Sequence, residues 1–121
     1  MNWTALPILV AAFVSYFFYK RSGLISIKDA RAYLKSGALV IDVRTAGEFV
    51  AHHLPIAVNL PAGETETSVT RRVKDKDQVL LLHCQSGARS SIAKKKLKSL
   101  GYLNTFNLGS YDRASHIVYG K

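Results

Sequence analysis

The sequence predicts an α/β domain, a parallel sheet of about five strands with helices on both faces, preceded by one N-terminal transmembrane helix. Three observations carry this. The runs "ALVIDV" (residues 38–43) and "QVLLLH" (78–83) are too short for helices and nearly continuously apolar, the mark of strands buried on both faces. Segments with apolar residues at helical spacing alternate with these runs, which implies parallel pairing through helical crossovers. Residues 3–19, "WTALPILVAAFVSYFFY", contain no charged side chain.

The first segment is read as a membrane anchor. As a helix it reaches roughly 25 Å at about 1.5 Å per residue, the short end of what spans a bilayer. Trp3 stands near one end and Tyr16 and Tyr19 near the other, where interfaces favour aromatic residues, and Pro7 falls in the first turns. A cleaved signal peptide would need a basic start and small residues at its end; Met1-Asn2 are uncharged and the run ends in Phe17-Phe18-Tyr19. Lys20, Arg21, Lys28, Arg31 and Lys35 follow the span, so the positive-inside rule puts the remaining chain in the cytoplasm. The expected division is an anchor with its basic flank over residues 1–21 and one domain over 22–121, single-pass, with the domain close to the membrane across Ser22-Gly23.

Within the domain, residues 24–27 read as a short strand and 28–35 as a helix with Ala30, Tyr33 and Leu34 on one side, closed by Ser36-Gly37. After the strand at 38–43 come a helix around 45–52 and an extended stretch at 56–60 ended by Pro61. Residues 62–70 are polar and read as a loop entering a basic helix that ends near Asp75. The strand at 78–83 precedes a helix over 90–100, with Ala93, Leu97 and Leu100 inward and Lys94, Lys95 and Lys98 outward. A strand at 105–108 and a helix at 111–119 complete the domain.

Composition narrows the chemistry. The 121 residues, 48% hydrophobic and 21% charged, suit one small domain with an appendage. Cys84 is the lone cysteine, so no internal disulfide can form, and His52, His53, His83 and His116 lack the spacing of a metal site; neither metal nor cofactor is expected. The formal charge of +9 suits small anionic substrates, acidic partners or anionic lipid. Aromatic residues are not interleaved with the basic clusters, so no nucleic-acid partner is expected.

The loop after the 78–83 strand, "HCQSGARS", carries the reactive group. A strand runs into Cys84, then Gln85, Ser86, Gly87 and Ala88, then Arg89 and Ser90 open a helix. Loop and first-turn amides at a helix start lack internal partners and form an anion cradle. Gly87 removes a side chain that would obstruct the turn, Arg89 adds forked donors and permanent charge, and Ser90 can cap the helix. A cysteine in that field ionises more readily than a free thiol and becomes a nucleophile.

This loop resembles the active-site loop of the rhodanese family, Cys-x-x-Gly-x-Arg followed by Ser. Residues 40–61, "VIDVRTAGEFVAHHLPIAVNLP", resemble the same family's upstream segment, a strand ending in Asp-x-Arg, then Glu-Phe, His-x-Pro-Gly-Ala and Asn-x-Pro. The two motifs stand in register over residues 23–121. The resemblance implies a rhodanese-like fold and a sulfurtransferase, of thiosulfate sulfurtransferase type, in which Cys84 takes a sulfane sulfur from thiosulfate or a persulfide and passes it to a thiophilic acceptor. Cys84 and Arg89 are then catalytic, and Gln85, Ser86, Gly87, Ala88 and Ser90 bind the substrate. With no second cysteine, the acceptor is external: a thiol, cyanide or a protein sulfur acceptor. Related phosphatases and arsenate reductases use one residue more between Cys and Arg, a wider cradle for a phosphate-sized anion. A tethered regulatory module of the same fold is the other alternative, against which the intact Cys84–Arg89 loop argues.

Asp42 and Arg44 lie two apart near a strand end and support the loop; Arg44 paired with Glu48 one turn on is the simplest account of that arginine. His53 and His83 read as hydrogen-bonded structural residues. Ile56 stands where the family has glycine, and the family's aromatic glycine turn is reduced to Leu108-Gly109-Ser110-Tyr111.

Overall fold

In a computed structural model the chain is described over residues 3–120, with the side chains of residues 18–22 outside the description. Four parallel strands, β1 (Leu39–Asp42), β2 (Val58–Asn59), β3 (Leu80–His83) and β4 (Thr105–Gly109), form one sheet in the order β2-β1-β3-β4. Their register is continuous from Leu39 opposite Leu80 to Asp42 opposite His83, and from Leu80 opposite Thr105 to Leu82 opposite Asn107. A fifth strand at 24–27 does not form. Leu24 makes one parallel bridge to Asn107 and the Ile25 amide bonds the Asn107 carbonyl, after which Ser26 caps a helix and turns the chain away.

Among the described residues there are six helices: α1 (Ala5–Ser22) and α2 (Ile27–Lys35) precede β1, α3 (Ala46–Ala51), α4 (Thr65–Arg72) and α5 (Ala88–Ser99) join successive strands, and α6 (Tyr111–Tyr119) follows β4. Alternation within the apolar strands sorts their side chains into two layers. Ile41, Val43, Leu80 and Leu82 meet Val69 of α4 and Ala93 and Leu97 of α5 on one face. Val40, Leu81 and Leu108 meet Ala30 of α2 and Ala114 and Ile117 of α6 on the other. A strand read as uniformly apolar thus serves two cores at once.

Several expectations need correction. Residues 65–70 belong to α4 rather than to a loop, because Val69 is fully buried and the Thr65 hydroxyl bonds the Leu60 and Pro61 carbonyls at the helix start; the helix ends at Arg72, short of Asp75. Helix α5 begins two residues before Ser90, on Gly87. Leu100 is exposed, while Lys94 is half-buried and donates to the Gly23 carbonyl at 3.0 Å.

The transmembrane helix is also overturned. Residues 5–22 are helical, but among the described residues no helix is long and apolar enough to cross a membrane. The helix begins at Ala5 rather than Trp3 and takes in Lys20, Arg21 and Ser22, so its uncharged part reaches only about 22 Å against a hydrocarbon core of about 30 Å. Every described side chain from Trp3 to Phe17 is exposed. Met1 and Asn2, which the predicted anchor included, lie outside the described residues.

Candidate active site

The connections leave β1 and β3 in opposite directions, to β2 on one side and β4 on the other. In an open parallel sheet the crevice beyond the carboxyl ends at such a point is where ligands sit. Asp42 and Arg44 close β1 there, and His83 and Cys84 close β3.

Cys84 continues the side-chain face of Leu80 and Leu82 and is fully buried. Its Sγ accepts the Gly87 amide at 2.9 Å and stands 3.5 Å from Ser90 Oγ. Burial pushes the thiol's pKa up, but hydrogen bonds from the Ser90 hydroxyl and from the Ser90, Gly87 and Ser86 amides outweigh it, so the net shift is downward. The sulfur therefore lies at the floor of an amide cradle that favours its anion.

Gly87 makes the cradle sterically feasible. Its φ of 100° is left-handed, and a Cβ there would stand 3.3 Å from the backbone of Gly109, itself at φ 97°. The loop is thus pressed against the β4–α6 connection, where Gly109 O accepts the Cys84 amide at 3.3 Å and Gln85 O accepts the Tyr111 amide at 3.2 Å. The turn over residues 108–111 does form a wall of the site. Gln85, Ser86 and Ala88 are exposed at its rim.

Ser90 does not cap α5; the cap position is Gly87, without a side chain to offer. Ser90 lies inside the helix and is fully buried. Its hydroxyl is 2.7 Å from Asn107 Oδ1, 3.1 Å from Gly87 O and 3.5 Å from the sulfur, three acceptors for one proton. Asn107 is orientated by accepting the Gly109 amide at 2.9 Å on Oδ1 and donating Nδ2 to Gly87 O at 3.2 Å. The thiolate is therefore one of three acceptors within reach of the Ser90 hydroxyl, with Asn107 Oδ1 the nearest.

The upstream arginine and the loop arginine each meet a carboxylate, but not as the sequence suggested. Arg44 pairs with Asp42, at 2.8 Å from Nη2 and 3.1 Å from Nε, and not with Glu48. Both are buried; Arg44 also donates to the His52 carbonyl at 2.7 Å and to Gln85 Oε1 at 3.4 Å, and lies 4.8 Å from the Tyr111 ring centroid. The hydrogen bonds it donates to Asp42 foremost raise the Arg44 pKa, so the guanidinium stays charged. The pair braces β1, α3 and the loop from beneath.

Glu48 instead takes Arg89 in a forked pair, Nη1–Oε1 at 2.6 Å and Nη2–Oε2 at 3.0 Å. Arg89 foremost, then the Thr45 amide, lowers the Glu48 pKa to about 2, while Glu48 and, less strongly, Cys84 raise that of Arg89. Thr45 and Glu48 form a capping box at the start of α3, which fixes the carboxylate from its own side.

His83 and His53 are held by local contacts. His83 Nδ1 lies 3.2 Å from Cys84 O, and its Nε2, without a hydrogen-bond partner among the described residues, is 3.7 Å from Asp42 Oδ2. Burial foremost lowers the His83 pKa, keeping the ring neutral. His53 stacks on Phe49 at 3.8 Å and bonds the Phe49 carbonyl. Ile56 lies in an exposed turn whose amide donates to Tyr119 Oη, at the end of α6 remote from the loop. No cluster of metal-ligating side chains occurs among the described residues.

Asn107 is a site residue the sequence did not single out, and Glu48, read there only as a partner for Arg44, belongs to the site as the partner of Arg89. The signals that could have found them are the Thr-x-x-Glu capping pattern over residues 45–48 and the polar interruption of the "TFNLG" strand by Asn107.

The model of the rhodanese-like domain matches residues 26–114. Thiosulfate sulfurtransferase PspE of Escherichia coli is 32% identical over 69 residues, 57% of this chain and 66% of that protein. Human thiosulfate:glutathione sulfurtransferase is 32% identical over 101 residues, 72% of this chain and 88% of that protein. Among solved structures, the human single-domain sulfurtransferase TSTD1 superposes with a TM-score of 0.64 at 28% identity, covering 76% of this chain and 94% of its own.

Proposed function

Because the chain belongs to the rhodanese-like family, we propose that it is a sulfurtransferase that carries a sulfane sulfur on Cys84 from a small anionic donor, thiosulfate or a persulfide, to an external acceptor. The observation that carries this is the Cys84 sulfur, held at 2.9 Å from the Gly87 amide in a cradle that lowers its pKa.

With thiosulfate, the Cys84 thiolate attacks the outer sulfur, a new S–S bond forms, and the bond to the sulfonate sulfur breaks as sulfite departs with the electron pair. Cys84 is left as a persulfide anion. Loop amides aimed at the sulfur stabilise negative charge as it passes from the thiolate to the outer sulfur, without reorganising. Gln85, Ser86, Gly87, Ala88 and Ser90 line that cradle, Arg89 borders it, and Asp42 and Arg44 hold it from below. A thiol or cyanide then attacks the outer sulfur and regenerates the thiolate. The chain has one cysteine, so an internal disulfide cannot release the sulfur; the acceptor is a small thiophile or a protein thiol. Neither a metal nor a general base is needed once Cys84 is ionised.

The test is intact-mass measurement of the protein with thiosulfate. A gain of one sulfur atom, lost on adding cyanide and absent in Cys84→Ala, is expected. A protein that gains no mass, or that hydrolyses an aryl phosphate instead, would refute the reading.

A further inference from the structure

Charge at the mouth of the cradle is unexpectedly balanced. Arg44 is matched by buried Asp42, and Arg89 by Glu48 through both forks, so these two arginines add no net charge to the site. Attraction of a donor anion falls on the loop amides and on the field of a chain carrying +9. Glu48 does not depend on Arg89 for its position: Thr45 N and Oγ1 hold Oε1 at 3.0 and 3.2 Å. If Arg89 turns towards a bound donor, Glu48 stays where it is, and it stays ionised at neutral pH because even the ordinary carboxylate value of 4.5 lies well below that pH.

We propose that Glu48 is a specificity-determining residue that selects donors by charge, penalising dianionic sulfur donors relative to singly charged ones; this rests on the sulfurtransferase reading above. Either Arg89 keeps its forks on Glu48 and is withheld from the donor, or it shares them and leaves a carboxylate facing the incoming anion. Both costs grow with donor charge. The pair is at the solvent edge, with side chains 38% and 34% exposed, so the effect acts through a water-like dielectric. Each unit of donor charge is then worth about threefold in kcat/KM.

Glu48→Gln isolates this charge, since glutamine also serves the third position of a capping box and can still accept from Arg89. The donors are thiosulfate, a dianion, and benzenethiosulfonate, a monoanion, with cyanide as acceptor. Donor kcat/KM reports the sulfur-loading half-reaction. E48Q is expected to raise it about tenfold for thiosulfate and about threefold for benzenethiosulfonate, moving the ratio about threefold. Glu48→Ala, neutral but without the cap, is expected to move the ratio the same way, and Glu48→Asp, which keeps the charge, to leave it near the parent value. A ratio unmoved in whichever neutral variant is folded by circular dichroism, or equal changes for both donors, overturns the proposal alone. A parent protein that takes sulfur from neither donor overturns it together with the sulfurtransferase reading.

Discussion

Ser90→Ala tests whether the Cys84 thiolate depends on a side chain or on backbone amides alone. The hydroxyl lies 3.5 Å from the sulfur and 2.7 Å from Asn107 Oδ1, so its hydrogen bond to the thiolate competes with one already in place. Hydrogen bonds to charged groups contribute about 1.5–3 kcal/mol; with that competition, about 1 kcal/mol is the expected loss, a roughly fivefold smaller thiolate fraction below the titration midpoint. Asn107 keeps the Gly109 amide and the Gly87 carbonyl, so the loop itself should hold its shape. The assay is the pH dependence of alkylation by iodoacetamide. In S90A the profile should move to higher pH, the rate falling about fivefold at low pH while the alkaline plateau is unchanged. Superimposable profiles would show that the Gly87, Ser86 and Ser90 amides suffice. A lowered plateau would show that Ser90 shapes access rather than charge.

Asp42→Asn leaves the buried Arg44 guanidinium with carbonyl and amide partners only, and should cost about 3 kcal/mol in urea unfolding; a loss below about 1 kcal/mol would remove the pair's bracing role. Gly87→Ala forces a side chain to φ 100° against the Gly109 backbone at 3.3 Å; a loss of about 2 kcal/mol, roughly a 10 °C fall in Tm, is expected by calorimetry, and an unchanged Tm would contradict the close approach. Glu48 has a folded pKa depressed from 4.5 to about 2, so its contribution to stability is present above about pH 4.5 and lost as pH falls towards 2. Acid unfolding followed by circular dichroism should therefore be shallower in E48Q across that window, and identical slopes would count against the Arg89 pairing.

Sequence by itself determined the two-layered sheet, because the runs "ALVIDV" and "QVLLLH" are apolar on both alternating faces and only burial on both sides accommodates that. It likewise located Cys84, Gly87 and Arg89, whose spacing is a local property of one loop. Local periodicity failed where a neighbour decided the outcome: residues 65–70 are helical because Val69 fills a space under the sheet, and residues 24–27 stop short of a strand because Ser26 caps α2. The uncharged N-terminal run was read as a span, but no described helix is long and apolar enough to be one, since α1 starts only at Ala5 and its uncharged part ends at Lys20. Charge pairing was the other decision reserved to tertiary structure. Arg44 and Glu48 stand four residues apart, yet β1 ends between Asp42 and Arg44 in a turn that closes that pair, and α5 brings Arg89 across the crevice to Glu48. Helical spacing ranks partners within one element; which carboxylate meets which arginine is set by where separate elements end, and that is what converted a basic-looking loop into a charge-balanced site.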